Sequence, residues 1–296
     1  MKIPVLMLTF LCVCFSGVTA QDDDLLSLLG TEEQQTEFVT ASFKTDRVIN
    51  LQSLENTAPG VLDVKISHRF GFLNQGAYEL FGLDNAVIRI GADLGLTNHL
   101  MVGFGRSSYE KTFDGFFKYK LLRQSTGKRN TPFTISVMGS AALKSIRFKD
   151  PTRENYFSSR MFYTGQLIIG RKFSDGFSFQ VAPTLVHRNL VSTETEKNDV
   201  FAIGFAARQK LSKRLSINAE YVYVLPDQIL DTYKNSLSIG FDIETGGHVF
   251  QLHFTNSTSM IDKGVVTETV GNWLDGDIHF GFNISRVFTL WGRDRK

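Results

Sequence analysis

Residues 199–225 read DVFAIGFAARQKLSKRLSINAEYVYVL and contain two alternating stretches around the short polar link 212–214. One phase of the alternation holds mainly aromatic and branched residues, and the other holds mainly small, polar or charged ones. Members of the first phase include Phe201, Ile203 and Phe205, and members of the second include Gly204, Arg208, Asn218 and Glu220. Because successive side chains of a strand point to opposite faces, this stretch predicts two antiparallel strands joined by a tight turn.

The same period of two residues recurs along most of the chain from Val61 onward. Further alternating segments lie at 85–95, 100–107, 113–124, 132–145, 160–173, 177–188, 235–244, 248–256 and 277–288. Together with the pair at 199–225 and the strand that begins at Val61, they predict about twelve strands, within a range of about ten to fourteen.

The links between these segments differ in length according to their position. Most short links follow even-numbered strands and most long links follow odd-numbered strands: 96–99, 174–176, 212–214 and 245–247 against 72–84, 146–159, 189–198, 226–234 and 257–276. The short odd-numbered link 108–112 and the long even-numbered link 125–131 are exceptions. Tight turns at one end, long loops at the other and an even strand count are typical of outer-membrane barrels. With both termini at the tight-turn end, the long loops, including 257–276, are expected at the cell surface.

Alternation alone does not show which face of the sheet points outward, since a soluble β-sandwich also alternates, with its apolar face inward. A barrel of about twelve strands is too wide for its interior to be filled as a side-chain core. We therefore expect the apolar phase to meet lipid and the polar phase to meet water. The predicted fold is all-β, an antiparallel up-and-down transmembrane β-barrel, with the soluble sandwich as the alternative.

The first twenty residues predict a cleaved signal peptide. Lys2 gives a basic start, an apolar run follows, and the small residues Val18 and Ala20 stand before the expected cut. We expect residues 21–60 to be a periplasmic N-terminal lead-in, 61–290 the outer-membrane barrel and 291–296 a short C-terminal tail. Within the lead-in, EFVTASFK (37–44) could form a short strand, and residues 37–60 could pack in the barrel mouth.

Composition limits the chemistry further. The only two cysteines, Cys12 and Cys14, lie in the predicted leader, so a disulfide framework or a cysteine-ligated zinc is not expected in the mature chain. The formal net charge of +2 is too small to favour nucleic acid as a partner. Past residue 20 no apolar stretch approaches the length of a spanning helix, so a membrane role requires strands.

Charged residues in the polar phase are the first candidates for a functional lumen: Arg89, Lys118, Lys120, Arg208, Glu220 and Asp242. Together with Lys65, Arg69, Lys210, Asp63, Asp93, Asp114 and Glu244 they make seven basic against six acidic groups. This near balance favours ion pairs that brace the wall over a ring of one sign that selects ions. A weak preference for anions stays open.

His253 and His279 share the lumen phase of strands expected to be neighbours. They could bind a metal or carry a proton, but zinc usually takes three or four protein ligands, so hydrogen-bonding wall residues are the favoured interpretation. No metal or cofactor is expected. In the charged loop 146–159, Arg153, Glu154 and Tyr156 are candidates for a constriction of the mouth, or for contact with lipopolysaccharide phosphate, against ordinary solvated loop charge.

No catalytic residue is predicted, and the chain is not expected to be an enzyme. The sequence has no GxSxG, HExxH, Walker or dinucleotide-binding motif. A membrane-embedded hydrolase would need a serine and a histidine on the lipid side. His68 and His187 have that phase, whereas Ser67 and Thr184 have the opposite one.

Four stretches resemble a known but uncharacterised family: DPTRENYFSSR (150–160), PTLVHRNLV (183–191), DIETGGHVFQLHFTNS (242–257) and GNWLDGDIHFGFNISRVFTL (271–290). The family consists of outer-membrane β-barrel proteins of the Bacteroidota, and its only label is a domain of unknown function. The resemblance runs from roughly Phe43 to Leu290. It implies the fold and an outer-membrane location, and it assigns no binding or catalytic residue.

Two functions follow as expectations. The first is a pore, passive or gated, or a binding barrel for small solutes. The second is a non-conducting structural or docking barrel that anchors a periplasmic or surface protein through residues 21–60 or the long loops. Outer-membrane lipid is the expected surrounding partner in both.

Overall fold

The computed structural model describes residues 35–148, 150–152, 154–191 and 193–292. The chain divides into Met1–Gln35, which apart from Gln35 lies outside the described residues, and Thr36–Lys296, to which the following description refers. The predicted signal peptide therefore lies outside the described residues. No described helix combines the length and the hydropathy needed to cross a membrane.

Twelve antiparallel strands close into a barrel, as the alternation predicted. The barrel strands are β2 (Val61–Phe72), β3 (Ala86–Gly95), β4 (Leu100–Ser107), β5 (Thr112–Leu122), β7 (Thr134–Lys144), β8 (Met161–Lys172), β9 (Phe177–Arg188), β10 (Asp199–Lys210), β11 (Leu215–Val224), β12 (Ser236–Thr245), β13 (His248–Thr255) and β14 (His279–Thr289). Each pairs with the next along the chain, and β14 pairs with β2 to close the sheet. A separate two-stranded sheet joins β1 (Glu37–Phe38) to β6 (Ser125–Thr126).

The two ends of the barrel differ as the link lengths predicted. At the tight-turn end, β12 and β13 are joined by Gly246 and Gly247, whose φ angles are 43° and 104°. These angles suit a two-residue hairpin turn, and a residue with a Cβ atom would be strained there. The first and last strands of the barrel also begin and end here. The Leu290 N–H donates to the Gly60 carbonyl, and the Gly60 N–H donates to the Gly95 carbonyl. The opposite end carries the long loops.

The two faces of the wall have the predicted orientation. Apolar side chains point outward, and Phe104 and Phe201 are 60% and 52% exposed. Charged side chains point inward and are fully enclosed, with Asp93 and Lys118 both 0% exposed. An inward-facing apolar core, as in a soluble sandwich, is thus excluded for this wall.

Peptide segments occupy much of the interior, contrary to the expectation of a water-lined lumen. Residues 42–54, called the lumen hairpin below, form an antiparallel turn inside the barrel, and most of them are buried. The predicted strand EFVTASFK pairs only at Glu37–Phe38, and the following chain enters the lumen instead of remaining a lead-in outside it. Side chains alone do not fill a twelve-stranded barrel, and here peptide segments do so.

A second segment, residues 256–269, enters from the long-loop end and is called the inserted loop below. It contains one short helix, α1 (Asp262–Thr267), of which every residue is buried. Ser259 and Lys263 are each 2% exposed. The prediction that the loop 257–276 is surface exposed is therefore wrong for this part of it, because its polar groups are satisfied inside the barrel.

The outward apolar face generates a first prediction about lipid contact. Ile239→Arg, on the outer face of β12, is expected to impair assembly in lipid vesicles, since a cation at the midplane of a barrel costs about 2–4 kcal/mol. Phe173→Arg, at the tight-turn end, is the matched control and is expected to cost only about 0–1 kcal/mol. Urea midpoints and heat-dependent migration on gels measure both. Equal costs at the two positions would contradict lipid contact of this face.

Candidate functional site in the barrel lumen

The lumen hairpin is a tight antiparallel turn that begins and ends at the tight-turn end of the barrel. The Val48 N–H donates to the Leu51 carbonyl and the Ser53 N–H to the Asp46 carbonyl, both at 2.8 Å. The tip of the hairpin is therefore Ile49 and Asn50. Two such ladder bonds do not hold an isolated hairpin together in water, so the conformation depends on the surrounding wall.

Glu220 on β11 holds the tip. Its carboxylate accepts the backbone N–H groups of Ile49, Asn50 and Leu51 at 3.0–3.2 Å. The side chain is 2% exposed, so water contributes little to its solvation. A buried carboxylate is costly without hydrogen bonds, and three converging amide donors satisfy it. The tip and this carboxylate thus stabilise each other.

The two arms of the hairpin are held through their carbonyl groups. Lys118 on β5 donates to the carbonyls of Asp46, Ser53 and Glu55 at 3.0, 3.1 and 2.7 Å. Gln180 on β9 donates to the Gln52 carbonyl at 2.7 Å and accepts the Leu54 N–H at 3.1 Å.

Other wall side chains bind further carbonyls of this part of the chain. Gln251 donates to Val48, Asn283 donates to Ile49, and Arg208 donates to Ala41 and Ser42.

A buried ion cluster fixes the side chain of Asp46. The Lys65 ammonium of β2 contacts the Asp46 carboxylate and lies 2.7 Å from Asp93 and 3.3 Å from Asp63. Three carboxylates around one ammonium leave the cluster with more acidic than basic groups. The nearby Lys118 ammonium, which binds the Asp46 carbonyl, adds a second positive charge beside it.

Apolar contacts complete the fit of the hairpin. Phe43, Val48 and Leu54 pack against the small and branched lumen residues Ile168, Ala182 and Ala206. Leu51 packs in a second cluster that also includes Val265 and Val266 of α1. The lumen hairpin and the inserted loop therefore touch each other as well as the wall.

Arg69 on β2 joins the two inserted segments. Its guanidinium donates to the Asn50 side chain at 2.8 Å and to the Ser257 and Ser259 carbonyls at 2.7 and 3.3 Å. A second link is the ion pair between Arg47 of the hairpin and Asp262 of α1, at 3.5 Å. Movement of one segment therefore breaks contacts of the other.

The inserted loop is also clamped at the long-loop end. Lys263 lies 3.1 Å from Glu110 and 2.5 Å from Glu268, and its ammonium stands 4.2 Å from the ring centre of Phe162. Glu110 has a positive φ of 52°, which is unusual for a residue other than glycine. In this conformation its carboxylate contacts both Lys263 and Lys144.

The pKa of Glu110 responds to this clamp. Burial acts to raise the pKa, but the charges of Lys263 and Lys144 outweigh burial, so the pKa lies below its ordinary value of 4.5. A lowered carboxyl pKa means that the clamp stabilises the loop fully above about pH 4.5 and loses strength as the pH falls towards the lower value.

The candidate lumen residues all lie buried on the inner face: Arg89, Lys118, Lys120, Arg208, Glu220, Asp242, His253 and His279. Arg89 forms an ion pair with Asp114 across β4, where Gly105 leaves room for its guanidinium. Asp242 accepts from Gln251 and Ser216. These contacts brace the wall, whereas Lys118, Arg208 and Glu220 bind the hairpin. A transport role for any of them stays a prediction.

The two histidines have different surroundings although their strands are neighbours. His279 shares hydrogen bonds with the Phe70 carbonyl at 2.7 Å and with Thr258 of the inserted loop at 2.9 Å. Neither ring nitrogen of His253 has a hydrogen-bond partner among the described residues. Within the part of the chain that the structure describes, no group of three or more His, Cys, Asp or Glu side chains could hold a metal ion.

Neither of the described loop candidates is enclosed by the barrel wall. Glu154 is exposed and Tyr156 is 62% exposed, while Arg153 lies outside the described residues. The segment that narrows the long-loop end is the inserted loop. A constriction by the loop 146–159, or its contact with lipopolysaccharide phosphate, stays a prediction.

Sequence reasoning also missed Gln180, Gln251 and the hairpin itself. One signal was present in the pattern, since Val222 and Val224 continue the polar phase of β11 with apolar residues. Both are buried in the cluster that packs against α1. Branched residues on a lumen phase indicate that something other than water lies opposite them.

The chain belongs to the family described as "Membrane bound beta barrel domain (DUF5777)", whose model matches residues 43–288. The match begins at Phe43, so it includes all of the lumen hairpin except Ser42, and the wall up to Phe288. The protein is therefore a membrane-bound β-barrel. No curated protein matches the chain.

Solved structures with a similar course of the chain include two porins and one outer-membrane channel. The NanC porin covers 77% of this chain and 98% of its own at 9% identity and a TM-score of 0.46. The KdgM porin covers 77% and 99% at 11% identity and 0.47. A channel from Pseudomonas putida F1 covers 79% and 97% at 10% identity and 0.45. Identities and TM-scores this low carry no argument about function.

The contacts of Glu220 generate a second prediction. In a chain with Cys12 and Cys14 replaced by alanine, Leu51→Cys is expected to react slowly with a maleimide. Adding Glu220→Ala leaves three buried N–H groups without an acceptor. Since each such group costs about 1–3 kcal/mol and tenfold corresponds to about 1.4 kcal/mol, labelling is expected to accelerate at least about tenfold. Glu154→Ala is the control. An unchanged rate with Glu220→Ala would contradict the anchoring role.

The clamp at Glu110 generates a third prediction, which concerns pH. With Trp291→Phe, Trp273 beside the inserted loop becomes the only tryptophan. Its emission is expected to shift as the pH falls below about 4.5, because protonation of Glu110 weakens the clamp. In Glu110→Gln this transition is expected to be absent. The same pH curve in both chains would show that Glu110 does not control the loop.

Proposed function

We propose that the protein is an outer-membrane pore for small solutes that its own lumen hairpin and inserted loop keep closed. The wall has the charged inner face of a water-filled barrel, with Arg69, Arg89 and Lys118 among its residues. Membership of a membrane-bound barrel family supports the location in a membrane. The outer membrane is proposed because only closed barrels and helices satisfy their backbone in lipid, and barrels with this loop pattern are typical of that membrane.

One observation carries the proposal. The segment that fills the lumen is polar, and the wall holds it through hydrogen bonds and ion pairs that water can replace, such as those of Lys118 and Glu220. A permanent plug would be expected to pack as a continuous apolar core. The apolar contacts of the hairpin are instead two small clusters at its sides.

A non-conducting docking barrel is the second candidate function. The interlocked contacts of Arg69 favour it, because they fill the lumen from both ends and leave both segments enclosed. In that case the small sheet of β1 and β6 at the tight-turn end, where Phe38 is 47% exposed, would be a surface for a protein partner.

Conductance in planar bilayers distinguishes the closed pore from the docking barrel. The parent chain is expected to stay closed for most of the time. The double variant Leu51→Asp with Leu54→Asp places two carboxylates in apolar contacts, so the hairpin is expected to leave the lumen and the time-averaged conductance to rise at least about tenfold. Leu190→Asp, at an exposed loop position, is the control.

A blocked pore with the hairpin outside would contradict the proposal. Maleimide labelling of Asn56→Cys reports the position of the hairpin, and adding Lys263→Met releases the inserted loop. If both segments are released and swelling of liposomes in small sugars still equals that of the parent, the docking barrel is correct.

A further inference from the structure

The wall recognises the lumen hairpin mainly by its main chain. Glu220 accepts three consecutive N–H groups, and Lys118 donates to three carbonyls. Gln180 forms the paired donor and acceptor contact to Gln52 and Leu54 that an extended peptide strand offers. None of these contacts depends on the side chain of the residue that is bound.

These wall groups are buried and aimed at positions that peptide groups occupy. Glu220, Lys118 and Gln180 are at most 2% exposed, and they lie on β11, β5 and β9, three separate parts of the wall. A buried donor or acceptor that loses its partner is costly. When the hairpin leaves, water can solvate these groups one by one, but a ligand that supplies alternating N–H and C=O groups over the same length matches the positions of all three at once.

Two further features add side-chain preferences. Ile168, Ala182 and Ala206 form an apolar wall that receives Phe43, Val48 and Leu54 of the hairpin. The Lys65 ammonium receives the carboxylate of Asp46. A ligand for this site therefore combines an extended main chain with apolar side chains and one acidic side chain.

We infer that the lumen is a binding site for an oligopeptide of about the length of the lumen hairpin, which binds by its main chain when the hairpin leaves. This inference rests on the proposed function, because it requires the hairpin to leave. It names the class of solute: peptides compete with the hairpin for Glu220, Lys118 and Gln180. The tethered hairpin acts as an intramolecular competitor, which keeps the site closed until a suitable peptide is abundant.

The test uses the full chain in detergent micelles and a fluorescein-labelled peptide with the sequence of residues 41–55. Anisotropy is expected to show saturable binding to the variant with Leu51→Asp and Leu54→Asp, and at least tenfold weaker binding to the parent, whose own hairpin competes. The same measurement is repeated with a second double variant, Phe43→Asp with Val48→Asp, which is expected to displace the hairpin through a different pair of residues. Heat-dependent migration verifies that each barrel is folded.

Main-chain recognition is tested on the peptide itself. N-methylation at Asn50 and Leu51 removes two of the N–H groups that Glu220 accepts and is expected to weaken binding at least tenfold. N-methylation at Lys44, whose N–H has no hydrogen bond to the wall among the described residues, is the matched control and is expected to change binding less than threefold. Glu220→Gln in the displaced-hairpin variant is expected to reproduce the loss.

Each outcome separates this inference from the proposed function. Absence of saturable binding to both displaced-hairpin variants, or equal binding of all N-methylated peptides, overturns the peptide site. If conductance rises in that case, the pore proposal stands without it. If the peptide binds with the expected N-methyl pattern and conductance does not rise, the peptide site stands and the pore proposal fails.

Discussion

The pairing of β14 with β2 is the contact on which the rest of the structure depends. It runs from Thr289 opposite Val61 to His279 opposite Phe72 and joins the last strand to the first. Without it, two strands would present unpaired N–H and C=O groups along the barrel wall, which an apolar surrounding cannot satisfy. Closure makes every backbone group of the wall internal to the sheet, so the outward face can be apolar throughout.

Closure also leaves an enclosed space, which the interior segments occupy. Twelve strands enclose more space than their own side chains fill. The lumen hairpin and the inserted loop occupy that space, and they bring backbone polar groups with them that need partners. Wall residues such as Glu220 and Lys118 supply those partners, so the charged inner face serves first to bind peptide segments of the same chain.

The interior has two halves that are held differently. The hairpin is held mostly by hydrogen bonds to its main chain, whereas α1 rests on branched lumen residues such as Val222 and is clamped by Glu110. Arg69 lies between them and contacts both. The two ends of the barrel are therefore linked by a short series of polar contacts, and a change at either mouth alters the contacts of the other segment.

The sequence by itself determined the wall. Alternation is a local property of a strand, so residues such as Phe201 and Arg208 reveal both the strand and its two faces without knowledge of any distant contact. The strand count and the tight turn at Gly246 and Gly247 could be predicted for the same reason, whereas the inward direction of the charges followed from the width of a barrel of about twelve strands.

Only the tertiary structure decided what fills the barrel. Residues 42–54 and the inserted loop are polar enough to resemble solvated segments. From the sequence, the first was expected in the lead-in, at most in the barrel mouth, and the second at the surface. Their polar groups find partners far along the chain, as in the contact between Asn50 and Glu220, which are 170 residues apart. No local pattern encodes such a contact, because whether a polar segment meets water or a matching wall is decided by the closed sheet that surrounds it.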